Sequence, residues 1–144
     1  MNAEAEVYVL DSFAMLAYLQ GEAGMERVKG VLKTAEQGNC HAYLSLINLG
    51  EVIYITERER GLIEAQAVLA LVEQLPLQVL AASREAVLGA AHVKANYPLS
   101  YADAFAVAAV QSFEQRFHGT RFLGRPQFES RLFDGLPVIR FELP

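Results

Sequence analysis

The sequence predicts an α/β fold, a three-layer α/β/α sandwich with a central parallel sheet. Short candidate strands recur along the chain, and the first of these runs, Val7–Leu10, is apolar with no polar alternation. Such runs are typical of parallel strands that are covered on both faces. Helical patterns separate the runs, and alternation of strands with helices indicates βαβ units. Because the chain has 144 residues, we expect residues 1–144 to form one domain with a full hydrophobic core.

The first part of the chain divides into elements at polar and glycine-containing breaks. In each predicted helix, apolar side chains recur at the spacing that gives a helix one buried face. Gly38 and Asn39 end the second helix. In order, we expect a strand at Val7–Leu10, a short helix from Ser12 to about Gly21, a helix over Gly24–Gln37, a strand over His41–Leu46 and a helix from Asn48 to Arg60.

The second part continues the alternation. Pro76 blocks one helix, and Ser83 is a suitable cap for the next. The helix that begins at Ser100 is apolar around its whole circumference, which predicts a central, buried position. In order, we expect a helix over Ile63–Leu75, a strand over Leu77–Leu80, helices over Arg84–Asn96 and from Ser100 to about Phe117, a strand over Arg121–Leu123, a short helix near Gln127–Leu132 and a closing strand over Pro137–Phe141.

The composition excludes several classes of protein. The formal net charge of −5 excludes nucleic-acid binding through bulk basicity. It leaves room for a nuclease, because a metal ion offsets the charge of a carboxylate site locally. The single cysteine, Cys40, forms no internal disulfide, and we find neither a signal peptide nor an apolar stretch of the roughly 18 residues that a membrane span needs. We therefore expect a cytoplasmic protein.

Three acidic residues, Asp11, Glu51 and Asp103, occupy the first turn of a predicted helix or the strand end just before one. Asp11 directly follows the Val7–Leu10 strand. Parallel α/β sheets bind their ligands outside the carboxyl ends of the strands, so a carboxylate at this position is suited to ligand binding.

A purely structural role is the alternative for each acid. Asp11 or Ser12 is a favoured helix cap, and Asn48-x-x-Glu51 and Ser100-x-x-Asp103 have the spacing of a capping box or a close variant. A cap typically stabilises a protein by about 1 kcal/mol and needs no further duty.

The surroundings of Asp103 favour a metal site. The helix after it is uniformly apolar, and an acid there is costly unless it is paired, hydrogen-bonded or bound to a cation. Converging carboxylates repel one another, and a hard cation such as Mg²⁺ or Mn²⁺ relieves that repulsion. Such an ion can activate water and neutralise phosphate charge, which is the chemistry of metal-assisted phosphodiester cleavage.

Three short motifs together resemble the PIN domain family, in particular the VapC-type toxins of bacterial toxin–antitoxin pairs. They are Val9-Leu10-Asp11-Ser12, Asn48-x-x-Glu51 and Leu99-Ser100-x-x-Asp103-Ala104, and their order and spacing extend along nearly the entire chain. The resemblance implies a PIN-like fold, a Mg²⁺- or Mn²⁺-dependent endoribonuclease acting on RNA, a homodimer and an antitoxin partner. It assigns the catalytic and metal-binding roles to Asp11, Glu51 and Asp103, with Ser12, Asn48 and Ser100 as supporting polar residues.

One position departs from the family pattern. Members commonly carry a fourth acid in a Thr-Gly-Asp-Pro-x-Phe-like segment, whereas this chain has Leu123-Gly124-Arg125-Pro126-Gln127-Phe128. Arginine cannot ligate a metal and stays charged. Glu129 lies nearby, but a shift of several positions along a turn rarely preserves ligand geometry. Arg125 could neutralise an acid, leaving a degenerate site that binds RNA or protein without catalysis, or it could contact a substrate phosphate beside one metal ion.

Overall fold

The computed structural model describes residues 5–114 and 120–125 of the chain. The predicted helix near Gln127–Leu132, the predicted strand over Pro137–Phe141 and Glu129 lie outside these residues. The described strands are β1 (Glu6–Leu10), β2 (Cys40–Ser45), β3 (Gln78–Leu80) and β4 (Thr120–Leu123). The described helices are α1 (Ser12–Gln20), α2 (Met25–Glu36), α3 (Leu46–Arg60), α4 (Leu62–Gln74), α5 (Arg84–Asn96) and α6 (Tyr101–Glu114).

The four described strands form one parallel sheet in the order β3-β2-β1-β4. In the central strand, Leu10 pairs with Leu44 of β2 on one side and with Leu123 of β4 on the other. The carboxyl ends of these three strands therefore meet at the same edge of the sheet. This register determines which side chains lie beside Asp11.

Helices cover both faces of the sheet, which confirms the predicted three-layer α/β/α architecture. On one face, Leu10, Leu44 and Leu123 pack against apolar side chains from α1, α2, α3 and α4. On the other face, Phe122 packs with buried residues of α5 and α6. Because successive strand residues point to opposite faces, the neighbours Phe122 and Leu123 contribute to different cores.

The boundary between β2 and α3 differs from the prediction. The predicted strand extends to Leu46 and the predicted helix begins at Asn48, whereas the strand ends at Ser45 and the helix begins at Leu46. The cause is local, because Ser45 caps the helix by accepting a hydrogen bond from the Ile47 N–H at 3.1 Å. Asn48 therefore lies inside the first turn, and the proposed capping role of Asn48 in the Asn48-x-x-Glu51 spacing is wrong.

Helix α6 confirms the predicted central helix over its first half. Residues Asp103–Val107 are all buried, whereas Ser112 and Glu114 are exposed. The predicted end of this helix, at about Phe117, lies outside the described residues. Among the helices in residues 5–114, none is both long and apolar enough to cross a membrane.

Candidate active site

Asp11 lies at the carboxyl edge of the sheet, directly after β1. Its backbone N–H donates to the Leu123 carbonyl at 3.0 Å and so extends the pairing of β1 with β4 by one step. Because the strands are in this register, the residues that follow Leu123 run beside the Asp11 side chain.

The Asp11 carboxylate is fully buried and accepts two backbone hydrogen bonds. Oδ1 accepts from the Ala14 N–H at 2.8 Å and caps α1, and Oδ2 accepts from the Arg125 N–H at 3.1 Å. Burial raises the pKa of Asp11 to about 6. The two hydrogen bonds and the Arg125 charge oppose this rise, whereas the Asp103 charge adds to it. The cap on α1 uses one oxygen of the Asp11 carboxylate, so a capping role does not exclude a functional role for this residue.

Gly124 is a site residue whose role the sequence pattern did not predict. A Cβ atom at this position would overlap the carboxylate of Asp11. Only glycine therefore lets the backbone of this turn approach the acid closely enough for the Arg125 N–H to reach it. The available signal in the sequence was a glycine directly after a predicted strand. The sequence did not indicate that Asp11 lies beside this glycine in the sheet.

Asp103 is the second buried acid, at 6% exposure, in the first turn of α6. Its backbone N–H donates to Ser100 Oγ at 3.1 Å, so the exposed Ser100 hydroxyl caps this helix. Asp103 Oδ1 lies 3.7 Å from Arg125 Nε. The Ser100-x-x-Asp103 spacing thus forms a cap, and the Asp103 side chain remains available for another role.

Asn48 joins the beginnings of three helices. Its amide Nδ2 donates to Ser12 Oγ of α1 at 3.0 Å and to the Ala102 carbonyl of α6 at 3.1 Å. Ser12 Oγ in turn donates to the Asn48 carbonyl at 3.3 Å. Asn48 and Ser12 are buried, so their supporting role is to hold α1, α3 and α6 together next to the acids.

The remaining amide oxygen of Asn48 has an unusual environment. Oδ1 is buried and has no hydrogen-bond partner among the described residues. The Ala102 carbonyl can only accept hydrogen bonds, so the amide cannot be turned around to remove the problem. A buried polar atom without a partner is costly, and each such atom in a native structure calls for an explanation such as a water or an ion.

Glu51 is not brought into a closed cluster with the two aspartates. It is half-buried on α3, three residues after Asn48 and so on a neighbouring part of the same helix face. In residues 5–114 and 120–125, no three His, Cys, Asp or Glu side chains are grouped closely enough to hold a metal ion together. Arg125 contacts Asp11 through its N–H and Asp103 through its guanidinium, and Glu51 does not join these two aspartates in a group among the described residues.

Arg125 and Phe13 flank the buried acids on the solvent side. The Arg125 guanidinium carbon lies 5.7 Å from the centre of the Phe13 ring, a cation–π distance, and Phe13 is exposed. Tyr101 is also exposed and its ring lies against Phe105. Both aromatic residues are thus accessible from solvent, and each lies two positions from an acid in the sequence.

The chemistry of these side chains fits a hard divalent cation. The available ligands are carboxylate and amide oxygens, which Mg²⁺ and Mn²⁺ prefer in proteins. The Asn48 oxygen has no partner within residues 5–114 and 120–125, and burial raises the pKa of the Asp11 carboxyl. A bound cation would stabilise the ionised form of this carboxylate.

Comparison with known proteins identifies a family. The family model described as PIN domain matches residues 8–115. The matched range contains Asp11, Glu51 and Asp103 and ends before the turn with Arg125. No curated protein sequence matches the chain.

Three of the similar solved structures contain toxins. A DNA-bound VapBC complex from Salmonella typhimurium has a TM-score of 0.63 at 20% identity, covering 95% of this chain and 97% of that one. VapC20 of Mycobacterium tuberculosis, named as a Sarcin-Ricin loop cleaving toxin, has a TM-score of 0.57 at 19% identity, covering 75% and 83%. A toxin–antitoxin complex from Klebsiella pneumoniae has a TM-score of 0.57 at 17% identity, covering 93% and 96%.

At these identities the structural neighbours show that the fold is shared. The family model adds a sequence match over most of the chain, including the three acids that the sequence motifs single out. The chain therefore belongs to the PIN domain family.

Proposed function

We propose that the protein is a divalent-cation-dependent endoribonuclease in which Asp11, Asp103 and Glu51 hold one Mg²⁺ or Mn²⁺ ion. The observation that carries the proposal is the presence of two buried aspartates, Asp11 and Asp103. Asn48, which bonds to the residues beside them, Ser12 and Ala102, adds a buried oxygen that has no partner in the part of the chain that the structure describes. The PIN family match and the similarity to VapC20, named as a Sarcin-Ricin loop cleaving toxin, support the choice of RNA as substrate.

We assign the roles of the residues from their chemistry. Asp11 and Asp103 would supply carboxylate oxygens from rigid helix beginnings, and the Glu51 side chain would have to turn toward them from α3 to complete the site. A bound divalent cation supplies an activated water and neutralises charge on the scissile phosphate. Phe13 and Tyr101 offer exposed rings on which bases of a single-stranded RNA can stack.

We further propose that the protein acts as the toxin of a toxin–antitoxin pair. Two of the structural neighbours are VapBC or toxin–antitoxin complexes. Several apolar side chains of α4 are exposed, including that of Ile63 at 85% exposure. Exposed apolar surface favours binding of protein partners. We propose an antitoxin and a second copy of the chain as these partners. Light scattering on the purified chain should give twice its 15.9 kDa mass, and a monomer would contradict the homodimer.

A second candidate function rests on the contact between Arg125 and Asp103. If the guanidinium permanently neutralises this acid, the site is degenerate and the domain binds RNA or protein without cleaving it. The two functions differ in one result, cleavage by the folded wild-type protein.

The test is cleavage of a mixed structured RNA by purified protein in Mg²⁺, in Mn²⁺ and in EDTA. We expect cleavage only with a divalent ion, and we expect Asp103→Asn to reduce it about a thousand-fold, because loss of a metal ligand removes several kcal/mol of transition-state stabilisation. The substitution keeps the shape of the side chain, and the cap at Ser100 uses the Asp103 backbone.

Glu114→Gln, an exposed acid on the same helix, is the matched control and should cleave like the wild type. Thermal unfolding of both variants checks that they are folded. Full cleavage by folded Asp103→Asn would refute the proposed site. No cleavage by folded wild-type protein that is free of antitoxin would favour the degenerate site.

A further inference from the structure

The backbone of Arg125 is fixed to the site. Its N–H donates to Asp11 Oδ2 at 3.1 Å, and the preceding Gly124 packs directly against the same carboxylate. Strand β4, which is paired with β1 up to Leu123, anchors this turn. The starting point of the Arg125 side chain is therefore determined by the fold, whatever the guanidinium contacts.

The guanidinium itself is held loosely. Its Nε lies 3.7 Å from Asp103 Oδ1, which is an ion pair but too long for a hydrogen bond. The side chain of Arg125 is 44% exposed, whereas that of Asp103 is 9% exposed. The Phe13 ring supports the guanidinium from a second side at 5.7 Å. This arrangement leaves the positive charge next to the acids and still accessible to a ligand from solvent.

Two other basic side chains on the neighbouring elements are used elsewhere. The Lys94 ammonium donates to the Leu99 carbonyl at 2.7 Å, which fixes the segment before α6. Arg121 of β4 pairs with Glu6 at 3.6 Å, near the opposite end of β1. Of the basic residues in the part of the chain that the structure describes, Arg125 is the one whose side chain lies against Asp103 and whose N–H reaches Asp11.

The charges at the site match this arrangement. Asp11, Asp103 and Glu51 together with Arg125 carry three negative charges and one positive charge when all are ionised. One divalent cation neutralises the remainder. With an acid in place of Arg125, these four positions would carry four negative charges, and two divalent cations would be needed to neutralise them.

We propose that Arg125 supplies the second positive charge of this site, so that the protein binds a single divalent cation and uses the guanidinium to hold the RNA phosphate beside it. This inference rests on the proposed function. With neither RNA nor a metal ion bound, the guanidinium lies against Asp103; it leaves Asp103 for an RNA phosphate when RNA binds, and also when a divalent cation occupies the carboxylates. A guanidinium suits this role because it binds phosphate through paired N–H donors.

Calorimetric titration of the wild-type protein with Mn²⁺ tests the inference without an activity assay. We expect one Mn²⁺ per chain in the wild type, and one Mn²⁺ bound about tenfold more tightly in Arg125→Ala, because the repulsion between the guanidinium and the ion is removed. Arg125→Asp should bind two Mn²⁺ per chain. Arg125→Lys keeps the charge and should retain the wild-type affinity for Mn²⁺ within about threefold.

RNA binding gives the second readout, measured by fluorescence anisotropy with a labelled single-stranded RNA in EDTA. We expect Arg125→Ala to weaken binding about tenfold, as loss of one charge-assisted phosphate contact should. Arg121→Ala is the matched control, since it removes a half-exposed, paired arginine from the strand that precedes Arg125, and it should change neither the Mn²⁺ affinity nor the RNA affinity.

The outcomes separate this inference from the proposed function. Two Mn²⁺ ions per wild-type chain, or an Arg125→Ala variant with unchanged Mn²⁺ and RNA affinity, would overturn the role of Arg125 alone. A wild-type protein that binds no Mn²⁺ would overturn both. Because the Arg125 N–H remains in every variant and the side chain is half-exposed, the variants should fold, and thermal unfolding verifies this.

Discussion

Asp11 is the residue at which stability and function oppose each other. Its carboxylate caps α1 and receives the Arg125 N–H, yet burial raises its pKa to about 6, so the ionised form is costly in the metal-free fold. The fold holds a proton on Asp11 over a pH range in which the unfolded chain has already released it. An apolar residue at this position would avoid the free-energy cost of burying a carboxylate. A buried acid that is nevertheless present here is therefore expected to bind a ligand.

The raised pKa of Asp11 predicts how stability depends on pH. The contribution of protonated Asp11 is fully present below its unfolded pKa of about 3.8 and is lost as the pH rises through about 6. Deprotonation of Asp11 should therefore lower the free energy of unfolding of the metal-free protein by up to about 3 kcal/mol. Guanidinium chloride unfolding between about pH 4 and 7 measures the effect.

Other carboxyl groups also titrate in this range, so the informative quantity is the difference between the wild type and Asp11→Asn. That difference should fall as the pH rises, because only the wild type carries the titrating group at this position. A difference that stays constant or increases with pH would show that Asp11 is not held in the neutral form.

Among the elements, the helices were the most predictable part of the chain. Their apolar periodicity and their breaks at Gly61, Pro76 and Ser83 predicted α3 to α5 within two residues. The beginning of α3 was predicted less well, because Ser45 and Asn48 are both good caps and only the end of β2 decides between them. The role of Asn48 depends on α1 and α6, which are distant in sequence, so no local pattern contains it.

Asn48 should therefore matter more than an ordinary helix residue. Asn48→Ala removes the buried hydrogen bond to Ser12 and the part-buried one to the Ala102 carbonyl, which should lower the free energy of unfolding by about 1–3 kcal/mol. Guanidinium chloride unfolding measures the loss. Asn96→Ala, which removes one exposed local hydrogen bond to His92, is the matched control and should cost less than about 0.5 kcal/mol. Equal losses would contradict the joining role of Asn48.

For the whole molecule, alternation of buried strands and helices was sufficient to predict the three-layer fold. It was not sufficient to predict the strand order, because residues separated by more than a hundred positions pair in β1 and β4. The contact between Gly124 and Asp11 follows from that register and was therefore inaccessible to local patterns. The proximity of Arg125 to an acid entered the prediction through the family resemblance, as one of two alternatives.

The central claim is that the buried aspartates form a divalent-cation site, and anomalous diffraction from crystals grown with Mn²⁺ tests it most directly. We expect one anomalous peak bonded to carboxylate oxygens of Asp11 and Asp103 at about 2 Å, with the Arg125 guanidinium moved away from Asp103. Saturating Mn²⁺ with no peak at these carboxylates, and with Arg125 still on Asp103, would contradict the account.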